Sequence, residues 1–224
     1  MVLTLFFYRD SILYNTLPSF YNCFTIHYLA EMFTQLFKSI QEKVALTEEE
    51  LAICKTFFIP KQLRKKQFLL QEGEICLYNS FVEKGILRSF TIDEKGNDHI
   101  VQFALEGWWI SDMANFFSGN PTTYTIEALE DSELLLITHA SLEALLDKVP
   151  KFERYQRILL QNAYIALQAR IVSSLTETAE EKYTKLINAF PGIVQRVPQH
   201  MIASYLGLTP ETLSRIRKHI AQRK

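Results

Sequence analysis

Residues 199–218 read Gln-His-Met-Ile-Ala-Ser-Tyr-Leu-Gly-Leu-Thr-Pro-Glu-Thr-Leu-Ser-Arg-Ile-Arg-Lys, and this stretch constrains the chain more than any other. It predicts two short helices joined by a tight turn, a helix-turn-helix. Ala203 is small where two helices must cross closely, and Gly207, four residues on, sits where the chain leaves the first helix with positive φ. Ile202, Leu206, Leu208, Leu213 and Ile216 supply the apolar contacts that hold the pair together. Thr209 is a good N-cap and Pro210 suits the first helical position, where a missing N–H costs nothing. With Leu213 and Ile216 turned inward, Thr209, Pro210, Glu211, Thr212, Ser214, Arg215 and Lys218 are left to solvent or to a groove. These seven are the candidate DNA-contacting residues, on a helix of the kind that lies in the major groove.

The charge distribution agrees with that reading. The 224 residues carry a formal net charge of −1, but from Arg196 to Lys224 there are six Lys or Arg against the single acid Glu211. That end is therefore net +5 and the rest −6. A basic module on an acidic body is what a reader of double-stranded DNA needs, because phosphate contact and counterion release supply the non-specific part of affinity. Cys23, Cys54 and Cys76 are scattered, odd in number and without a Cys-x-x-Cys pair. They point to buried thiols in a reducing cytoplasm and supply neither a structural zinc nor an iron–sulfur ligand set.

Residues 1–31 differ from the rest, being rich in Phe, Tyr and Leu with only Arg9, Asp10 and Glu31 charged. No positive n-region precedes the apolar residues, which disfavours a secretory signal. The uncharged run 11–30 has the length of a membrane span but contains Asn15, Pro18, Asn22 and His27, so no membrane association is expected. Met32 opens an ordinary amphipathic sequence, and the biological start is expected there, with 1–31 an extension.

Between residues 68 and 137 the pattern changes to short apolar runs punctuated by Gly73, Gly85, Gly96, Gly107 and Gly119, at gaps of 12, 11, 11 and 12 residues. Turns at this even spacing predict an all-β barrel or jelly roll, with strands over 77–82, 85–91, 99–104, 124–129 and 133–137. Glu94-Lys95-Gly96-Asn97 has the composition of a hairpin turn. Helical signal returns after Thr138: a short helix over 141–148 stopped by Pro150, then a long one from Lys151 to about Thr178 without Pro or Gly. On it Leu160, Tyr164, Leu167, Ile171 and Leu175 form one stripe, and Tyr155, Ile158, Ile165 and Val172 a second. A helix apolar on two sides can pack on its own domain and on a copy of itself, so a homodimer is expected. A further helix over 180–190 ends at Pro191-Gly192, and a short strand over 193–197 is expected before the helix-turn-helix. The expected fold is α+β: a jelly-roll or double-stranded β-helix sensor domain over 32–149, a dimerisation helix over 150–178 and a (winged) helix-turn-helix domain over 179–224.

Order and motifs together resemble the Crp/Fnr family of bacterial transcription regulators over about 33–218. The resemblance is carried by Glu72-Gly73-Glu74 and Phe81-Val82-Glu83-Lys84-Gly85 in the roll, by Gly107-Trp108-Trp109-Ile110, and most specifically by Leu208-Thr209-Pro210-Glu211-Thr212-Leu213-Ser214-Arg215. It implies a regulator that binds a pseudo-palindromic operator as a homodimer, with RNA polymerase as a further partner and an effector in the roll. Two departures matter. The family's reading helix typically carries Arg-Glu-Thr-x-x-Arg, and here Pro210 takes the place of the first arginine, while Glu211 and Arg215 remain four apart to accept from cytosine and donate to guanine. Little chain follows that helix to make a β-hairpin wing. Cyclic-nucleotide binders of the family neutralise the cyclic phosphate with an arginine, where this chain has Thr122-Thr123, and bind the ribose hydroxyl with glutamate, where it has Ser111-Asp112. Burying a permanent anion without a paired cation is costly, so cyclic AMP is not the expected effector. The candidate pocket for another effector is Arg88, Ser111, Asp112, Met113, Thr122 and Thr123.

Two other classes stand beside this reading. A cyclic-nucleotide-sensing module acting on a partner other than DNA would need the phosphate-binding arginine, in whose place this chain has Thr122. A cupin-like metalloenzyme would need His and Glu facing into the barrel, whereas His99 and His139 lie 40 residues apart with no His-x-His pair. No enzyme activity is expected.

Overall fold

The computed structural model describes residues 32–222; the 1–31 extension with Cys23, and the terminal Arg223 and Lys224, lie outside them. Two short helices come first, α1 (Thr34–Gln41) and α2 (Glu48–Lys55). The second is started by a reciprocal capping box, in which Thr47 accepts from the Glu50 N–H and the Glu50 carboxylate accepts from the Thr47 N–H.

Eight antiparallel strands follow: β1 (Ile59–Leu63), β2 (Phe68–Leu70), β3 (Tyr78–Lys84), β4 (Leu87–Ile92), β5 (Asp98–Ala104), β6 (Trp109–Ile110), β7 (Thr125–Ala128) and β8 (Ser132–Thr138). They form two four-stranded sheets, in the orders β1-β8-β3-β6 and β2-β7-β4-β5, with the single-turn helix α3 (Met113–Ser118) between β6 and β7. This is the roll that the glycine spacing predicts. The edge strands β1, β2 and β6 were not expected, and β1 shows why: four of the five residues of Ile-Pro-Lys-Gln-Leu are exposed, with Pro60 tolerated because only its β8 side is paired. Gly85 is needed at the β3–β4 turn. Its φ is +100°, and a Cβ there would lie 2.2 Å from Ser132 Oγ and 2.8 Å from the Ser132 backbone.

Behind the roll, α4 (His139–Lys148) leads into the long α5 (Pro150–Thr176), with Pro150 at the first turn of the new helix. The start of α5 packs on its own roll through fully buried Phe152 and Tyr155. The Tyr155 hydroxyl meets Ser39 Oγ at 3.0 Å and accepts from the Trp109 indole at 3.2 Å, tying α5 to α1 and β6. From Leu160 to Val172 every residue is exposed, including Leu160, Tyr164, Ile165, Leu167 and Ile171. The C-terminal elements are α6 (Ala179–Ala189), α7 (Ile193–Arg196), α8 (Gln199–Leu206) and α9 (Pro210–Gln222). The strand expected over 193–197 is instead the helical turn α7. Ile193 and Val197, four apart, are both buried, a spacing that puts them on one helical face but on opposite ends of one strand face.

One buried acid governs how α1 sits on the roll. The Glu83 carboxylate, 7% exposed, accepts from the Gln35 N–H at 2.9 Å and the Leu36 N–H at 2.8 Å. Burial outweighs these bonds and pushes its pKa up to about 7 from an ordinary 4.5. Between those values the folded chain holds a proton that the unfolded chain releases, so this group's stabilisation is full below about pH 4.5 and is lost as pH rises through about 7. Glu83→Gln removes the titration. The difference in melting temperature, variant minus parent, is expected to become more positive by several degrees between pH 5.5 and pH 8 in thermal circular dichroism; a pH-independent difference would refute the assignment.

Candidate nucleic-acid interface and its attachment to the roll

The helix-turn-helix forms from α8 and α9 as local chemistry dictates. Gly207 adopts φ +67°, ψ +33°, and the Leu208 N–H turns back to the Ala203 carbonyl at 2.9 Å, a Schellman-type ending. Thr209 Oγ1 then accepts from the Thr212 N–H at 3.2 Å and starts α9 with Pro210 as its first residue. Ile202, Ala203 and Leu213 are each 1% exposed and seal the crossing of the two helices.

On the outward face of α9, Glu211, Ser214, Arg215 and Lys218 are exposed at i, i+3, i+4 and i+7, so they share one stripe. Thr209 and Pro210 are exposed at its N-terminal end, and Thr212 is half-buried with its hydroxyl on Thr209 Oγ1 at 3.1 Å. The Glu211 carboxyl is held below its usual pKa by its own backbone N–H, the Thr209 hydroxyl and nearby Arg215. It is thus an ionised acceptor. The Arg215 guanidinium makes one long bond, to Thr212 Oγ1 at 3.4 Å. His219 Nδ1, 3.2 Å from Glu180 Oε2, ties the far end of α9 to α6.

The sequence did not announce how this unit is held. β5 is an edge strand, and α8 covers part of it: Ser204 Oγ donates to the Asp98 carbonyl at 2.7 Å and accepts from the Ile100 N–H at 3.1 Å. Arg170, from α5, donates to the Val101 carbonyl at 2.5 Å and to the Tyr205 carbonyl at 3.2 Å, and its guanidinium lies 4.3 Å from the Tyr205 ring. Ile86, Phe90, Phe103 and Leu129 of the roll share one core with Leu186, Ile193, Val197 and Ile202. Arg196, counted above with the basic end, is engaged with the roll instead: it donates to both Glu106 oxygens at 2.7 and 2.9 Å and also pairs with Glu130. Burial opposes ionisation of Glu106, but the Arg196 bonds prevail and hold its pKa low. Sequence could not find this pairing, since 90 residues separate the partners.

The candidate pocket residues are only partly brought together. Ser111, Asp112 and Met113 lie where β6 passes into α3, with Ser111 Oγ 3.1 Å from Met113 Sδ. Asp112, 3% exposed, accepts from Thr122 Oγ1 and Asn115 Nδ2, each at 2.6 Å, and caps α3 through the Asn115 N–H. Thr123, next to buried Thr122, is exposed. Arg88 is not among them. It is on the β4 face that carries Phe90, its guanidinium 4.0 Å from that ring and paired with Asp98 at 2.6 Å and Glu127 at 2.7 Å. The cassette position thus holds a buried carboxylate closed by its own hydrogen bonds, with no cation turned toward it, and these residues do not fit a cyclic phosphate.

Residues 60–149 match the cyclic nucleotide-binding domain family. The regulatory protein HlyX of Actinobacillus pleuropneumoniae is 29% identical over 169 residues, 70% of this chain and 69% of that protein. The fumarate and nitrate reduction regulatory protein of Vibrio cholerae is 29% identical over 169 residues, 70% of this chain and 66% of that one, so the match spans about two thirds of these relatives. The chain is thus similar, over the roll and beyond it, to regulators of the Crp/Fnr type. Among solved structures, FixK2 of Bradyrhizobium japonicum has a TM-score of 0.65 at 21% identity, covering 74% of this chain and 85% of its own. A Crp/Fnr regulator of Eubacterium rectale has a TM-score of 0.60 at 14% identity, covering 80% and 85%; these two show the shared fold.

Cys54 and Cys76 are buried, burial pushing the Cys54 thiol up to about 12 and raising that of Cys76. Neither is poised as a thiolate, and among the described residues no three His, Cys, Asp or Glu are grouped to hold a metal ion. Among those residues, too, no helix is long and apolar enough to cross a membrane.

Because Arg196 is occupied by Glu106 and Glu130, Arg196→Ala should leave the salt dependence of DNA binding unchanged. Lys218→Ala, on the open face of α9, should lower the slope of log affinity against log salt by about 1. Fluorescence anisotropy across a salt series checks both.

Proposed function

We propose that the protein reads a two-fold symmetric DNA site as a homodimer in the cytoplasm, with α9 of each copy in successive major grooves about 34–36 Å apart. The observation that carries this reading is the pair of unpartnered faces: the charged stripe Glu211–Ser214–Arg215–Lys218 on α9, and the apolar stripe Leu160–Tyr164–Leu167–Ile171–Leu175 on α5. A helix exposing that much Leu, Ile and Tyr along one line has the pattern of a coiled-coil seam, and a second copy covers it by symmetry. Thr209, Pro210 and Thr212 position the start of α9 against the DNA backbone. Glu211 accepts from a cytosine N4 and Arg215 donates to a guanine. RNA polymerase is the further partner of a regulator of this kind, and the reading assigns no reaction to the protein.

Arg215→Ala is expected to weaken binding to a site selected from random DNA by about 1–3 kcal/mol and to relax preference at one base pair. Equal weakening on all sequences would make Arg215 a phosphate contact. Leu167→Glu with Ile171→Glu should give monomers in sedimentation and abolish binding to the full site. Calorimetric titration with cyclic AMP should show no binding; micromolar affinity would overturn the reading of the Asp112–Thr122 closure.

A further inference from the structure

A cleft of about 370 Å³ opens where α5, α6 and the end of α8 meet, and none of the cassette residues lines it. Arg170 and Ser173 of α5 form one wall, Lys182 and Lys185 of α6 a second, and Tyr205 and Leu206 of α8 a third. The volume is within the roughly 300–1,000 Å³ of small-molecule sites. All three cations can be reached from solvent, since Arg170 and Lys185 are exposed and Lys182 is half-buried.

Charge is what distinguishes this cleft. Arg170, Lys182 and Lys185 line it and, among the described residues, no acid does. Glu177, between α5 and α6, pairs with Lys185 and also feels Lys182, but one carboxylate offsets only one of the cations. The remaining partners are carbonyls: Arg170 donates to those of Val101 and Tyr205, and Lys182 Nζ to that of Ser174 at 3.2 Å. A carbonyl orients a cation without neutralising it, and the Lys182 ammonium keeps two further N–H donors for an incoming group. A cleft with surplus charge of one sign concentrates counter-ions, and a surplus of two favours a dianion over a monoanion.

The apolar part of the lining restricts the ligand further. Leu186, Phe190 and Leu206 contribute hydrocarbon surface to the same cleft, beside the Tyr205 ring that lies 4.3 Å from the Arg170 guanidinium. Inorganic phosphate would leave that surface uncovered, whereas an ester with a flat hydrocarbon body would bury it. Arg170 and Ser173 lie about 100° and 200° around α5 from Ile171, so a second copy seated on the apolar stripe does not lie across them.

We propose that this cleft binds a small phosphate monoester, with the dianionic phosphate between Arg170 and Lys182 and an apolar or aromatic body against Leu186 and Phe190. The occupant touches α5 on one side of Glu177 and α6 and α8 on the other, so it holds the reading unit to α5. The inference rests on the cleft alone and not on the DNA reading above.

The test titrates the full-length protein with 1-naphthyl phosphate, 1-naphthyl sulfate and inorganic phosphate at about pH 7.5, where the ester is a dianion. Saturable binding of 1-naphthyl phosphate is expected, about fivefold or more tighter than the sulfate, which has the same body and one charge fewer, and about tenfold or more tighter than inorganic phosphate, which has no body. Lys182→Gln should weaken 1-naphthyl phosphate about fivefold or more, Lys182→Arg should retain it, and Lys61→Gln, exposed on β1, should leave it unchanged. The proposal is overturned if the sulfate or inorganic phosphate binds as tightly as the ester, if Lys182→Gln has no effect, or if Lys61→Gln weakens binding as much. It is also overturned if Lys182→Gln lowers the salt slope of DNA binding by about 1, which would make the cleft a contact for DNA phosphate. DNA binding by the parent chain without ester does not depend on any of the ester titrations, so the two readings fall separately.

Discussion

The contact on which the molecule's organisation depends is that between the open edge of β5 and the first helix of the reading unit. An edge strand presents backbone N–H and C=O groups that must find partners or water. Here Ser204 Oγ takes the Asp98 carbonyl and the Ile100 N–H, and Arg170 takes the Val101 carbonyl. A serine on α8 and an arginine on α5 thus do what another strand would otherwise do. The consequence is orientation: α8 is fixed against the roll, and α9, which crosses it at Ala203 and Leu213, is fixed with it. The Arg196 pairs with Glu106 and Glu130 hold the same unit from the other side. Those pairs are about one-third exposed and weak individually, so they set direction more than they supply stability; Ile193, Val197 and Ile202 against Phe90 and Phe103 supply the latter.

Such an arrangement can be rearranged without unfolding either part. α5 ends at Thr176, Glu177 is extended at φ −97°, ψ +145°, and Thr178 starts α6 with a capping box to Glu181. Each helix is terminated in its own right, so a change in the two dihedrals at Glu177 moves α6 to α9 as a body and breaks no helical hydrogen bond. The contacts that oppose such a movement are the polar ones of Ser204, Arg170 and Arg196 and the apolar core that Ile86, Phe90, Phe103 and Leu129 share with Leu186, Ile193, Val197 and Ile202.

Much of this was legible in the chain because it is local. Gly207, Thr209 and Pro210 dictate the turn and the start of α9 from within four residues, and the glycines at 85 and 96 mark strand reversals wherever the rest of the roll lies. Likewise, the stripe on α5 follows from periodicity alone. What was not legible depends on partners far apart in sequence. Arg88 looked like a candidate for an anion pocket, but its neighbours Asp98 and Glu127 come from other strands and face it away from the cassette. Arg196 looked like part of a basic tail until two acids some 66 and 90 residues away claimed it. The 193–197 segment fails for a related reason: two apolar residues four apart suit a helical turn once a core exists on one side, and composition cannot announce that core.

Asp112 shows how a shared fold and a different local chemistry coexist. Replacing a cation by Thr122 leaves the cassette without its counter-charge, and the remaining carboxylate would be an isolated buried anion. The chain resolves this internally, with Thr122 Oγ1, Asn115 Nδ2 and the Asn115 N–H all donating to Asp112. Three donors on one carboxylate make the cassette a structural brace for α3 and for the strand that follows. A brace of that kind does not yield to an incoming anion, because the newcomer would have to displace satisfied bonds and then meet a negative charge. The cassette is thus closed to an anionic ligand, while the sheet β2-β7-β4-β5 ends on the strand that α8 grips.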